Sequence, residues 1–436
     1  MAEKGLIMEE QTLKPIVADG RPTRDRLKIG ALKRLMHSRL GLRLARAALT
    51  RGVTYKPHDQ VSSDFFLELA QQTYADYAPP VVWTNIFVPC ELIWGLGLVP
   101  FYPETWAGLA ASLGLSRLGV EGAEAQGYPG DLCTVHRSAA GLRAAGLYPR
   151  ADAYVATSNT CDVTSQMMAS TAHAQGRPFF FLDIPQGEDE MAVEYLTAQL
   201  QELVEGLTKE LGVPFDAERM RQTMRLSNQA QVLALEVAEL REAHPAPLRG
   251  SALLDQLGVL TSMFGHPAGV TYYRALRDYT LERIRRGEPE QTNQRVRLYW
   301  MHLKPYYPTE LLPHMEDSLG AIIAFEEAST VWWDGLDEEQ PFHSLACKML
   351  ANYLNGPVER RVDMALRHIT RYQCVAAVHF SHWGCRQSSG ALHVLRGRLR
   401  RQGVPLLVLD GDCVDPTNLP MGPLRTRVEA FVEMLA

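Results

Sequence analysis

The chain has no apolar run of membrane-spanning length. Its most apolar stretches, residues 178–185 and 404–409, are only as long as a strand. It also lacks the pattern of a secretory leader. The basic stretch 24–51 is broken up by charge, with no apolar block and no small-residue cleavage site after it. A cytoplasmic location is expected, with no membrane partner. No G-x-x-x-x-G-K-[ST] loop and no G-x-G-x-x-G turn occurs, so ATP or dinucleotide binding by this chain is unsupported. There is no C-x-x-C pair. The seven cysteines are an odd number, and a reducing compartment argues against a disulfide framework. Excess positive charge is missing too: the net charge of −6 argues against bulk nucleic-acid binding. The local basic run Lys28, Lys33, Arg34, Arg39, Arg43, Arg46 and Arg51 alternates with leucines and reads as a solvated helix face or a subunit contact.

What is present is the composition of a globular protein, 46% apolar and 22% charged over 436 residues, which is too long for one ordinary core. Residues 1–78 read as a helical N-terminal region. From Pro79 short apolar strands alternate with helical segments: 81–87, 99–102, 152–157 and 178–183 are strand candidates. Residues 79–187 therefore form a first α/β unit. Residues 188–295 are helical, with Leu196, Leu200, Leu203 and Leu207 on one face. Residues 296–436 form a second α/β unit, with strands expected at 296–301, 321–325, 374–380 and 405–410. Strands alternating with helices imply parallel sheets with right-handed crossovers. The fold class is α/β: two parallel-sheet domains, a helical N-terminal region and an inserted helical region.

In open parallel sheets ligands bind beyond the carboxyl ends of the strands. One cysteine sits there in each α/β unit. Cys161 lies in Thr157-Ser158-Asn159-Thr160-Cys161-Asp162, and Cys385 in His382-Trp383-Gly384-Cys385-Arg386. Cys133 follows the Gly-rich turn Gly127-Tyr128-Pro129-Gly130-Asp131-Leu132. Each precedes an expected helix, whose N-terminal N–H groups favour a thiolate. Three thiolates on three loops can meet in a cleft between the domains. They are the complement of a [4Fe–4S] cluster with one iron left open to water or substrate. Zinc is the metal alternative. Cys347 and Cys374 read as core residues and Cys413 as structural. Glu91 is a candidate proton carrier or a helix-capping carboxylate. His382 is a candidate donor at the cleft or a structural histidine. Ser388 and Ser389 read as caps, and Asp410, Asp412 and Asp415 as a hydrogen-bonded turn.

The segments Pro89-Cys90-Glu91, Gly130-Asp131-Leu132-Cys133, Asn159-Thr160-Cys161-Asp162, Gly384-Cys385-Arg386-Gln387-Ser388-Ser389-Gly390 and Asp410-Gly411-Asp412-Cys413-Val414-Asp415 resemble the 2-hydroxyacyl-CoA dehydratase and benzoyl-CoA reductase family. The likeness runs from about Pro79 to the C-terminus. It implies two flavodoxin-like domains and a cluster-bearing subunit with Cys133, Cys161 and Cys385 as ligands. It further implies a homologous second subunit or homodimer, an acyl-CoA substrate and a separate ATP-dependent iron–sulfur activator that injects an electron. The expected reaction is radical dehydration of a 2-hydroxyacyl-CoA, with aromatic-ring reduction as the alternative. A side branch of the family carries an [8Fe–9S] double cubane. Cys90 is the additional ligand such a cluster would call on, although Leu92 stands where that branch has an aromatic residue.

Overall fold

The computed structural model describes residues 55–74 and 79–435, together with scattered positions between 30 and 47. Most of the basic run in the N-terminal region lies outside the described residues. Helix α1 (Pro57–Thr73) leads into the first α/β unit. Its elements are β1 (Val81–Thr84), α2 (Cys90–Gly95), β2 (Val99–Phe101), α3 (Pro103–Ser112), α4 (Ser116–Glu124), α5 (Thr134–Ala144), β3 (Ala153–Thr157), α6 (Asp162–Gln175) and β4 (Phe179–Leu182). The helical region is built on α7 (Glu190–Leu211), α8 (Ala217–Leu240) and α9 (Pro267–Arg286). The second unit comprises β5 (Val296–Met301), β6 (Ala321–Glu326), α10 (Pro341–Leu350), α11 (Val358–Arg371), β7 (Ala376–His382), α12 (Arg386–Gly390), α13 (Leu392–Arg401), β8 (Leu406–Gly411) and α14 (Met421–Leu435).

Each unit holds a four-stranded, all-parallel sheet. The orders are β2-β1-β3-β4 and β6-β5-β7-β8, the same order used twice. This is the flavodoxin-like arrangement. The strands are apolar runs rather than alternating ones because helices cover both faces: every residue of β1, β3, β6 and β7 is buried. The long helices stop where the sequence supplies the means. Asp189 and Asp216 cap the starts of α7 and α8 through their carboxylates. Gly212 and Gly287 take the left-handed conformation that ends α7 and α9.

The helical region does not carry a core of its own. Leu196, Leu200, Leu207, Met224 and Tyr273 pack into the same apolar cluster as β1, β3 and α2, and Leu345 and Met349 of α10 join them. The core on one face of the second sheet likewise takes in Ala107, Ala111, Cys133 and Val135 from the first unit. The two units are therefore welded at α3 and at the start of α5. At the closest point, Gly384 after β7 lies against the backbone of Leu132 and Cys133. A β-carbon at 384 would stand 2.7 Å from the Cys133 nitrogen, and φ there is +76°. Only glycine meets both demands.

Candidate active site at the paired switch points

In each sheet the strand order reverses between the first and third strands. The crevice lies beyond their carboxyl ends. The loop after β3 carries Cys161 and the loop after β7 carries Cys385. Cys133 comes from the turn before α5. All three occupy N-cap positions, of α6, α12 and α5 respectively. All three line one large cavity of about 1520 Å³ between the units. The other four cysteines do not line it. Burial raises the thiol pKa of Cys133 and Cys385, and neighbouring cysteines add to it: chiefly Cys385 for Cys133, and Cys161 for Cys385. Among the described residues, no group of three or more His, Cys, Asp or Glu could hold a single metal ion. A cubane places its thiolates on different irons, so its ligating sulfurs stand further apart than the donors of one ion. Three thiols on three loops around a cavity fit such a group.

Three histidines accompany the three cysteines. His382 is the last residue of β7, inside the strand rather than past its end, and its Nε2 lies 3.2 Å from Cys133 Sγ. Its Nδ1 accepts the Cys413 N–H at 3.1 Å, so the ring proton is on Nε2 and points at Cys133. Burial pulls the His382 pKa down to about 4 against the pull of Asp412, so the ring is neutral near pH 7. Asp412 is itself fully buried. One of its oxygens accepts from Thr134 Oγ1 at 2.6 Å and from the Val414 and Asp415 N–H groups at 2.9 Å, the structural role its turn suggested. His136, one turn into α5, places Nε2 3.0 Å from Thr164 Oγ1 and 3.8 Å from Cys161 Sγ. His302, just after β5, places Nε2 3.7 Å from Cys385 Sγ. His379 lies behind these, bonded to Ser388 Oγ at 2.9 Å and stacked on His302. Ser388 therefore serves the histidine pair rather than a helix end.

Glu91, the candidate proton carrier or helix cap, does not reach the large cavity. It is fully buried outside the large cavity, 2.6 Å from Lys348 Nζ and 2.7 Å from Ser227 Oγ. Burial alone would raise its carboxyl, but Lys348 and Ser227 hold it below the usual range. The physical reason is packing: α8 and α10 close over the start of α2 and supply both partners. Cys90 beside it is buried and donates its thiol proton to Phe264 O at 3.2 Å. Both border a small cavity of about 30 Å³. Cys347 is half-buried on α10, not in the core as expected, while Cys374 and Cys413 are buried.

Several acids line the large cavity, and one of them, Glu104 at the start of α3, stands out although the sequence reading missed it. In the sequence nothing sets it apart from any acidic residue in the first turn of a helix. Its Oε2 is buried without a hydrogen-bond partner, and burial pushes its pKa up to about 7 against the opposing effect of His136. His302 was missed as well. The repeated strand order is the signal that finds it, because the residue after β5 must enter the second crevice.

Two flavodoxin-like domains that face a shared, thiol-lined cavity at matching switch points define the class of protein. The family model of the 2-hydroxyglutaryl-CoA dehydratase D-component matches residues 85–435, and the chain belongs to that family. It is similar to the (R)-phenyllactyl-CoA dehydratase alpha subunit of Clostridium sporogenes, 24% identical over 373 residues, covering 81% of this chain and 89% of the relative. It is similar to the lactoyl-CoA dehydratase alpha subunit of Anaerotignum propionicum, 22% identical over 391 residues, covering 81% and 90%. It is also similar to a benzoyl-CoA reductase subunit of Thauera aromatica, 24% identical over 385 residues, covering 80% and 88%. The chain is thus an enzyme of the dehydratase or related reductase type. Among the described residues no helix is long and apolar enough to cross a membrane.

Proposed function

We propose that this chain is the cluster-bearing subunit of a cytoplasmic 2-hydroxyacyl-CoA dehydratase, in which Cys133, Cys161 and Cys385 hold one [4Fe–4S] cluster. The observation that carries the reading is that these three cysteines, from three loops and two domains, line one cavity while the other four do not. This favours a single cubane over an [8Fe–9S] double cubane, because Cys90 is committed to Phe264 O. When bound, such a cluster supplies a low-potential electron and one iron that no cysteine binds, which can polarise a substrate oxygen. The chain's own residues do the rest. His382 donates from Nε2 to Cys133 Sγ, stabilising the thiolate form. Phe66, Ile86, Trp106 and Leu109 wall the cavity with apolar surface that takes an acyl group out of water. Glu104 stands at the same wall and exchanges a proton with the bound acyl chain, a task for which a carboxyl titrating near neutrality is suited.

The chain carries no nucleotide-binding motif, so the electron comes from a separate ATP-dependent iron–sulfur activator. The alpha-subunit relatives support a homologous second subunit, or a second copy of this chain, as partner. The test is anaerobic assay of the purified complex with activator and ATP, following conversion of 2-hydroxyacyl-CoA thioesters to enoyl-CoA by mass spectrometry. Loss of water from the thioester is the expected result. Net two-electron reduction of an aromatic acyl-CoA without dehydration would assign the chain to the reductase branch instead.

A further inference from the structure

The wall of the large cavity carries charge mostly of one sign. Among the described residues the acids Asp59, Glu104, Asp131, Asp162, Asp255 and Glu327 line it, against two cations, Lys304 and Arg386. Neither cation is turned to a ligand inside. Lys304 Nζ donates to Asp255 Oδ2 at 2.7 Å. The Arg386 side chain is 85% exposed and faces Asp131 at 3.7 Å. The three histidines on the wall each stand against a cysteine, at 3.2, 3.8 and 3.7 Å.

Beside Glu104 the same wall is aromatic. Tyr74, Trp106 and Tyr148 line it. Phe101 braces them from behind: it stacks on Trp106 with 5.5 Å between ring centres and meets Tyr148 edge-on at 5.1 Å. Tyr74 meets Trp106 edge-on at 6.4 Å. Both phenols are already engaged. Tyr74 Oη donates to the Leu147 carbonyl at 2.6 Å, and Tyr148 Oη to the Pro103 carbonyl at 3.0 Å. The two tyrosines therefore offer the cavity ring surface and no hydrogen. Phe66 adds a ring from α1. A β-carbon at Gly258 would lie 3.4 Å from its Cζ and 3.6 Å from Thr105 Cγ2, so the ring tip reaches the first turn of α3. This aromatic face brackets the Glu104 carboxyl, whose Oε2 has no partner. On the same helix Ala107 and Ala111 share a core cluster with Cys133 and Val135, which ties the face to the cysteine end of the cavity.

We infer that the side group of the acyl-CoA substrate is uncharged and aromatic, and that a carboxylate-bearing acyl chain is excluded. The inference rests on the functional reading above and names its substrate class. A ring fits because aromatic pairs gain from edge-to-face and offset contacts beyond the area they bury. A carboxylate on the side group fits badly on two counts. It would leave water for a wall that offers, among the described residues, neither an unpaired cation nor a phenolic hydrogen, and an ionised group buried without a partner is heavily penalised. It would also approach Glu104 and the other acids, which repel it. A short aliphatic chain escapes that penalty but leaves the aromatic face without contacts, so it binds less tightly.

The test measures, by calorimetry, how the anaerobically purified complex binds unreactive thioesters that lack the 2-hydroxyl. The probes are 3-phenylpropionyl-CoA, propionyl-CoA and glutaryl-CoA. The phenyl thioester should bind at least about 100-fold more tightly than glutaryl-CoA, the scale of an unpaired buried charge. It should also bind more tightly than propionyl-CoA. Phe66→Arg supplies the missing cation and should shrink the gap to glutaryl-CoA to about tenfold or less. Glutaryl-CoA or propionyl-CoA binding the wild type as tightly as the phenyl thioester would overturn the inference and leave the dehydratase reading standing. An unchanged gap in a folded Phe66→Arg protein would overturn it too, because the side group would then lie off this face. Tight phenyl binding with no dehydration of the matching 2-hydroxy thioester, given activator and ATP, would do the reverse: it supports the inference and contradicts the dehydratase reading. The wild-type comparison decides the matter even if the variant fails to fold.

Discussion

The two α/β domains share one strand order but use their first crevice loop in opposite ways. After β1 the chain turns inward: Cys90 and Glu91 start α2 beneath α8 and α10, and their polar atoms are consumed by Phe264, Ser227 and Lys348. After β5 the chain turns outward, and His302 stands in the cavity. The third strands behave alike, each delivering a cysteine at a helix start. Topology thus fixes where reactive side chains can appear. What packs over each loop decides whether one is spent on stability or left free for chemistry.

The largest effect that would sharpen this contrast comes from the spent side. Lys348→Met strands the buried Glu91 carboxylate, and breaking such a pair typically costs about 3–5 kcal/mol. Chemical denaturation should show that loss, and reconstituted iron in the surviving folded protein should match the wild type. Lower iron at equal foldedness would mean Glu91 belongs to the cluster site. Gly384→Ala attacks the seam between the domains. A β-carbon there meets Cys133 backbone at 2.7 and 2.8 Å at a left-handed position, so a cost above about 1 kcal/mol is expected. Because the strain falls on Cys133 itself, iron content should fall along with the melting temperature. Wild-type iron in a destabilised Gly384→Ala protein would speak against a shared site.

A smaller effect separates the two acids by pH. Glu104 binds its proton more tightly folded, at about 7 against an ordinary 4.5. Between those values the folded state holds more protons than the unfolded one, so the group's contribution is full below about 4.5 and declines as pH rises through about 7. Cluster-free wild type should therefore lose stability relative to Glu104→Gln over that window in denaturant titrations. Glu91, held below its ordinary value, has the opposite sign: its contribution is present at neutral pH and fades on acidification. Parallel wild-type and Glu104→Gln curves would remove Glu104 from the acid–base account. The smallest effect belongs to Cys90→Ser, which keeps a donor toward Phe264 O and should leave iron nearly unchanged. Loss of about half the iron would point to a second cubane.

Much of this was legible in the sequence, for identifiable reasons. The buried strands announce themselves as apolar runs such as Val81-Val82-Trp83-Thr84; Cys161 and Cys385 follow from strands meeting helices, and Cys133 from a Gly-rich turn entering one. Boundaries shifted where the pattern was ambiguous: β7 runs on to His382 because its polar end residues are buried against Ser388, Cys133 and Cys413. The roles of Glu91 and Glu104 could not be read locally. Both are acids in the first turn of a helix after a proline. Only the partners brought by α8 and α10, distant in sequence, neutralise the one and leave the other beside the cavity. His302 carries no motif, and its ring is oriented by a carbonyl 78 residues away.

The central claim is that both domains hold one cluster together, and iron bound per chain tests it most directly. Anaerobically purified wild type should carry about four irons, as one cubane requires. Cys161→Ser in the first domain and Cys385→Ser in the second should each reduce that to a small remainder, while Cys347→Ser on α10 should leave it unchanged. Wild-type iron in either of the first two variants would contradict the account.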